Sequence, residues 1–357
     1  VTRFLSRLFL ICLPLLALVV VDLALPLNAF TFRCWEALRV TWRIADTSLG
    51  RLFPYTALPG PFLPNERITM LEQGDLGHHT PYAEFRRVSS ETDASGFRVR
   101  PSSVAPELVL VGDSETVGSG LTQDETLAAV LGTAHGIASY PFAPADVVGF
   151  LGDPRFQERP PRAVVIECAE RYVLAEFHAV RQPLRRKPVS SHALEKLEVE
   201  LLRIQRLNAL EYLRARVNGN FRPNTIVLAD MLFWEPTVAA APPEDVTAAA
   251  STFAQYARQL RARGMRVAVL VVPNKETIYS DVLAGSPVPR LLPMLYSQLL
   301  GRGVDVLDVV PAFHEAREAG APPFFRDDTH WNTTGVRIAA AKIADWMHRG
   351  AAGAAAQ

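Results

Sequence analysis

Four short apolar runs punctuate the chain from residue 108 onward: Leu108–Val111, the core of Arg162–Cys168, Arg266–Val272 and Val304–Val309. The first three are apolar through their cores, the pattern of a strand buried on both faces, whereas Val304–Val309 carries Asp305 and Asp308 and continues the alternation of strands with helices. Gly112 breaks the first run, Pro160-Pro161 block helix before the second, and Pro273 closes the third. Helical patterns fill the intervals. Thr122-Gln-Asp-Glu125 reads as a capping box that opens a helix through about Leu131. Val246 to Gly264 is alanine-rich and stops at a glycine, and 290–301 repeats the pattern. Strands alternating with helices predict an α/β fold whose mostly parallel sheet is covered on both faces. Between 181 and 224 the alternation lapses. Leu194, Leu197, Leu201, Leu202, Ile204, Leu207, Leu210 and Leu213 recur at three- and four-residue spacing there, predicting one amphipathic helix or two in series. Packing against the domain is the expected role of this insertion.

The N-terminal pattern differs. Phe4 to Leu25 is almost wholly apolar, interrupted by Arg7 and Asp22, and is long enough to cross a bilayer as a helix. A basic start also suits a signal peptide, but no small-x-small cleavage site follows, so residues 1–30 are read as a retained anchor. Residues 31–89 are aromatic and basic (Trp35, Trp42, Phe53), then proline-rich, and read as a juxtamembrane segment and linker. The main domain is expected at 90–357.

Composition removes some partners. Lysine plus arginine and aspartate plus glutamate each number 37, so no net field points to nucleic acid. Cys12, Cys34 and Cys168 have no metal-like spacing. Unpaired thiols are expected, with a Cys34–Cys168 bridge as the alternative. No metal and no cofactor are implied. The adjacent pair His78-His79 does not face one way on a regular element and is expected in solvent.

The candidate chemistry lies in two stretches. Ser114 follows the run Leu108–Val111 at a strand's carboxyl end, where open α/β sheets place their ligands. Near the C-terminus, Arg326-Asp-Asp-Thr-His330-Trp331 supplies a histidine with two carboxylates, Asp327 and Asp328, beside it. A serine hydroxyl is a poor nucleophile until a base takes its proton, and His330 is the best base in the chain. Asp113 reads as a residue that holds the loop.

Gly112-Asp-Ser114 before a helix, with Asp-Asp-Thr-His330 near the end, resembles the SGNH (GDSL) hydrolase superfamily. The Asp-Thr-His330-Trp331 form resembles its branch associated with bacterial polysaccharide O-acetylation, the alginate acetyltransferase-like proteins. The likeness spans about residues 90 to 348, and Thr92-Asp-Ala-Ser-Gly96-Phe-Arg98 resembles a hairpin that precedes the serine strand in relatives. It implies an SGNH-like three-layer sandwich. Asp327 has the Asp-x-x-His spacing of the superfamily at large and Asp328 the Asp-x-His spacing of the branch, which slightly favours Asp328.

The resemblance also implies an oxyanion site made by backbone N–H groups at Ser114 and around Gly136 to Ser139. The asparagine that relatives carry after the second strand is missing. Glu170-Arg171-Tyr172 stands there, with Arg171 a donor to the oxyanion or to an anionic substrate and Glu170 its orienter. Pro273-Asn-Lys275-Glu-Thr-Ile-Tyr279 resembles the same branch, so Lys275 is a candidate to bind a sugar or acyl group. Trp331 either packs beside the histidine or forms a carbohydrate-stacking wall.

The function implied is a membrane-anchored O-acyltransferase or acetyl esterase acting on an envelope or exported polysaccharide through an acyl-serine. A membrane-embedded partner would deliver the acyl group, and the domain would lie on the periplasmic or outer side of the inner membrane. A broad secreted SGNH lipase or esterase, and a non-catalytic SGNH-like binding or assembly protein, are the alternatives.

Overall fold

The computed structural model describes residues 33–38, 60–177 (apart from 63, 78–79 and 101–103), 224–283 (apart from 229 and 235–241) and 291–355, with scattered helical positions between 4 and 17. In chain order the elements used below are α1 (Cys34–Leu38), β1 (Arg67–Glu72), β2 (Arg86–Glu91), β3 (Leu108–Val111), α2 (Ser114–Val117), α3 (Leu127–His135), β4 (Ser139–Phe142) and β5 (Ala163–Ala169). They continue with β6 (Thr225–Leu228), β7 (Met231–Trp234), α4 (Pro243–Arg261), β8 (Arg266–Val272), α5 (Leu291–Gly301), β9 (Asp305–Val306) and α6 (Thr333–Ala355).

A five-stranded sheet in the order β4-β3-β5-β8-β9, every pair parallel, forms the middle layer. Successive side chains of its strands point to opposite faces. Val109, Val111, Val164, Ile166, Val267, Val269 and Val271 pack with Phe253, Leu260 and Leu295, from α4 and α5, on one face. Leu108, Leu110, Val165, Leu270 and Val272 pack with Leu127, Leu131, Ala339 and Ile343, from α3 and α6, on the other. Both faces are dry, which is why the strands read as unbroken apolar runs. The result is an SGNH-like α/β fold with a parallel sheet. Its order places the first strand between the second and the third, so the chain reverses direction across the sheet at β3. The crevice of an open sheet opens at the carboxyl end of that strand.

Several expectations are corrected. The helix expected from Thr122 starts at Leu127 and runs to His135; Gln123–Glu125 is a single 3-10 turn, with Glu125 accepting from the Thr122 N–H at 3.1 Å. Ser139–Phe142, given no element from the sequence, is the edge strand β4. The run Val304–Val309 is a strand only at Asp305–Val306. The antiparallel pair β6–β7 was not expected. Nearly all of the 181–224 insertion lies outside the described residues.

The 31–89 region departs most from its reading as a linker. The antiparallel pair β1–β2 and α1 are packed parts of the domain. Trp35, Leu38 and Phe62 cluster with Val117 of the serine-bearing helix, and the Trp35 indole N–H donates to Ser119 Oγ at 2.9 Å. Trp35, one of the aromatics of the expected juxtamembrane segment, is here buried; Trp42 and Phe53 lie outside the described residues. Among the described residues no helix is long and apolar enough to cross a membrane; much of the expected span, from residue 18 on, lies outside them. Cys12, Cys34 and Cys168 are free, and the buried Cys34 thiol donates to the Val88 carbonyl at 3.1 Å.

Candidate active site

Gly112 makes the turn out of β3 possible. A Cβ at this position would collide with the Glu167 carboxylate and the Thr116 hydroxyl, so only glycine lets the backbone pass. Asp113 caps the short helix α2: its Oδ1 accepts from the Glu115 N–H at 2.8 Å, and Oδ2 accepts from the Ala169 N–H at 2.8 Å. Glu167 braces the loop from beneath, its Oε2 accepting from the Asp113 N–H (3.1 Å) and the Thr116 hydroxyl (2.8 Å). Ser114 is thereby held at the first turn of α2, directly above the carboxyl end of β3.

From the C-terminal side, His330 reaches the same point. Its Nδ1 lies 2.7 Å from Asp328 Oδ1, and its Nε2 lies 2.8 Å from Ser114 Oγ. A carboxylate only accepts, so Nδ1 carries the proton, which leaves Nε2 to accept from the serine hydroxyl. Burial alone would raise the Asp328 carboxyl. Arg33, then His330 and Arg86, outweigh it and hold the group well below the ordinary carboxylate range. Arg33 Nη2 donates to both oxygens of Asp328, at 2.8 and 2.7 Å.

Asp327 points the other way. Its Oδ2 accepts from the Gly74 and Glu84 N–H groups, each at 2.8 Å, its Oδ1 from Arg86 at 2.7 Å, and its carbonyl from Leu76 and Gly77. A Cβ at Gly74 would collide with the Asp327 backbone, so this loop closes tightly on that aspartate. Asp75 extends the same clasp, accepting from the Thr329 N–H at 2.8 Å and its hydroxyl at 2.6 Å.

Arg171 is brought to the site. Its Nη2 lies 3.5 Å from His330 Nε2 and 3.4 Å from Glu115 Oε1. Burial works against its charge, but Glu115 and the neighbouring acids outweigh that and raise its pKa above the ordinary arginine value. Glu115, on α2, also accepts from the Trp331 N–H at 3.3 Å and so ties the serine helix to the histidine loop.

Gly136, Ser139, Lys275 and Glu170 do not take the site roles expected of them, and Trp331 takes only one of its two. Gly136 caps the end of α3 in the left-handed conformation (φ 68°), its N–H bound to carbonyls of that helix. Ser139 pairs with Leu108 at the amino end of β3, whereas Ser114 follows the carboxyl end, roughly 10 Å along the strand. Neither belongs to an oxyanion site around Ser114. Lys275 is 1% exposed and donates to the Leu232 and Arg326 carbonyls at 2.9 and 3.1 Å; it ties β7 to the Asp327 loop and faces no substrate. Burial lowers its pKa to about 8. Trp331 is wholly buried, so it packs beside the histidine and offers no stacking wall. Glu170 does not orient Arg171: it accepts from the Asn274 N–H and the Thr277 hydroxyl.

Asp75, Asp328 and His330 offer atoms within 4.8 Å of one another. A cation there would have to displace Arg33 from Asp328 and Thr329 from Asp75, so the donor set does not fit a metal.

Comparison with known proteins agrees with the class that this fold and motif order define. Residues 232–357 match the family described as SGNH hydrolase-like domain, acetyltransferase AlgX. The resemblance to SGNH hydrolases of the alginate-acetylation branch therefore stands. A probable alginate O-acetylase AlgJ of Pseudomonas aeruginosa is 30% identical over 90 residues, which are 24% of this chain and 23% of that protein. The match thus spans less than a quarter of that relative's length. Among solved structures, an acetyl xylan esterase, AlAXEase, aligns with 66% of this chain and 96% of its own at 11% identity and a TM-score of 0.34.

Proposed function

We propose that the protein is a serine-dependent O-acyltransferase or acetyl esterase acting on a polysaccharide. The observation that carries this reading is the hydrogen-bonded line from Ser114 Oγ through His330 to Asp328 at the carboxyl end of β3. In the reading, Ser114 attacks an acyl carbonyl while His330 Nε2 takes its proton, and Asp328 stabilises the imidazolium. Arg171 donates to the developing oxyanion, a role consistent with a buried, charged guanidinium beside the nucleophile. The tetrahedral intermediate collapses to an acyl-serine as the leaving alkoxide or thiolate takes the proton from His330. A sugar hydroxyl or water then releases the acyl group by the reverse steps. The names of the matching family and relative, an acetyltransferase and an alginate O-acetylase, favour acetyl as the acyl group.

The test is intact mass of the full chain after incubation with an activated acetyl ester. A single acetyl adduct is expected, absent from Ser114→Ala and His330→Ala. Addition of oligosaccharides then separates transfer from hydrolysis. A folded wild type with neither adduct nor ester turnover would move the reading to a non-catalytic SGNH-like binding protein.

The apolar stretch Phe4–Leu25 supports a second half of the proposal, in which the chain is anchored in the inner membrane with its domain on the periplasmic or outer side. A membrane-embedded partner would there supply the acyl group. A compartment-sensitive reporter fused to the C-terminus should signal from outside the cytoplasm; a cytoplasmic signal overturns this half.

A further inference from the structure

Arg33 lies 295 residues from Asp328 in sequence, yet its side chain is 2% exposed and its guanidinium binds both oxygens of that carboxylate. The same nitrogen is 3.2 Å from His330 Nδ1. With the proton on Nδ1, the arginine and the imidazole are two donors sharing one acceptor, Asp328 Oδ1. Their mutual contact is then a repulsion held in place by the aspartate. Arg33 is itself fixed: Glu72 lies 4.0 Å from it, and the next residue, Cys34, donates its N–H to Glu72 Oε1.

We propose that Arg33 is a positioning residue of the acyl-transfer site, locking the Asp328 carboxylate toward His330 and opposing premature charging of the imidazole. The inference rests on the serine-hydrolase reading above and makes the N-terminal segment part of the site rather than a tether to it. Among the described residues, the charged groups that face His330 divide by sign. Asp328 and Asp75 favour its imidazolium, as does Glu115 from the serine helix. Arg171 at Nε2 and Arg33 at Nδ1 oppose it. Arg86, 3.5 Å from Asp328 Oδ2, is the more distant cation. Of the two cations in direct contact with the ring, Arg33 alone also holds the carboxylate. Removing it has two consequences with one sign. Burial of Asp328 is no longer offset by its strongest partner, so that carboxylate takes a proton at higher pH. The ring also loses an opposing charge, so it is taken out of service as a base at higher pH.

The test uses the full chain and compares wild type, Arg33→Gln and Arg33→Lys. In Arg33→Gln, kcat for an activated acetyl ester should fall by about 10- to 100-fold with KM little changed, as expected for a misplaced catalytic group. The acidic limb of its pH–rate profile should move up by about one pH unit or more. Arg33→Lys, which keeps the charge and loses the rigid planar guanidinium, should keep the limb near its wild-type position with an intermediate kcat. A second readout does not depend on turnover. The 15N ring signals of His330, assigned by their absence in His330→Gln, should titrate at higher pH in Arg33→Gln than in wild type. A folded Arg33→Gln with unmoved limb and unmoved ring titration overturns the proposal. If wild type turns nothing over but the ring titration still moves, the positioning role stands and only the catalytic reading falls. Should Arg33→Gln fail to fold, a limb or ring titration displaced in Arg33→Lys by a full unit overturns the charge argument, and an undisplaced one upholds it.

Discussion

On the proposed acyl-serine reading, replacing Asp328 by asparagine should lower acyl turnover by about 10⁴-fold while leaving the chain folded. The carboxylate accepts from His330 Nδ1 at 2.7 Å, which keeps the proton on that nitrogen and leaves Nε2 free to accept from Ser114. An asparagine can turn its amide toward the ring, place the proton on Nε2 and remove the base. The neighbouring carboxylate gives the internal control. Asp327 accepts from the Gly74 and Glu84 N–H groups and from Arg86, while it is Asp328 that accepts from the histidine ring. Asp327→Asn should therefore cost stability, about 1–3 kcal/mol for a buried network left with an unmatched partner, with far smaller loss of turnover per folded molecule. Ester hydrolysis and urea unfolding of the two variants separate the roles. Equal loss of turnover at equal folded fraction would mean that Asp328 has no privileged place beside the histidine.

The contrast between these two aspartates marks how far the sequence could be read. Four of the five sheet strands were legible: β3, β5 and β8 are buried and almost wholly apolar, and β9 was found with its extent overread. β4 was not. Ser139-Tyr-Pro-Phe142 carries a proline, which an edge strand tolerates where a central one does not, and it follows a glycine that reads as loop. Missing that strand displaced the expected oxyanion donors to the wrong end of the sheet, since backbone N–H groups leave no mark of their own in a sequence. The juxtaposition of Ser114, His330 and Asp328 was legible because it shows in side-chain identity and in two short local motifs. Lys275 misled for the converse reason: a lysine after a strand looks like a binding group, and only the packing turns it inward, while for Trp331 the packing decides between its two readings, beside the histidine or as a stacking wall, in favour of the first. Arg33 and Asp75 were beyond reach. Their partners lie 295 and 254 residues away, and Arg33 stands in a stretch whose aromatic and basic composition imitates a membrane flank.

A different residue carries the largest expected loss of stability. The guanidinium of Arg98, 2% exposed, donates to four backbone carbonyls: Val117 (3.0 Å), Gly118 (2.7 Å), Leu121 (2.6 Å) and, from β2, Ser89 (2.9 Å). Three of these belong to the turn that leaves the serine helix, where Gly118 and Gly120 adopt positive φ (84° and 75°) and no regular ladder exists to satisfy the backbone. Arg98 is the ladder's substitute, presented by the Asp93–Gly96 turn. Burial lowers its pKa, and Glu72 offsets that only in part, so the charge is held at a cost that the four acceptors repay. Arg98→Ala should destabilise the fold by about 3–5 kcal/mol, because each carbonyl left without a donor costs about 1–3 kcal/mol and water entering the gap recovers part of it. Arg98→Lys supplies a point charge in place of a planar fork and should recover less than half of that loss. Denaturant unfolding measures both. A loss below about 1 kcal/mol in Arg98→Ala would mean that water serves the turn as well as the guanidinium does. The serine loop would then owe its shape to Glu167 and Asp113 beneath it instead.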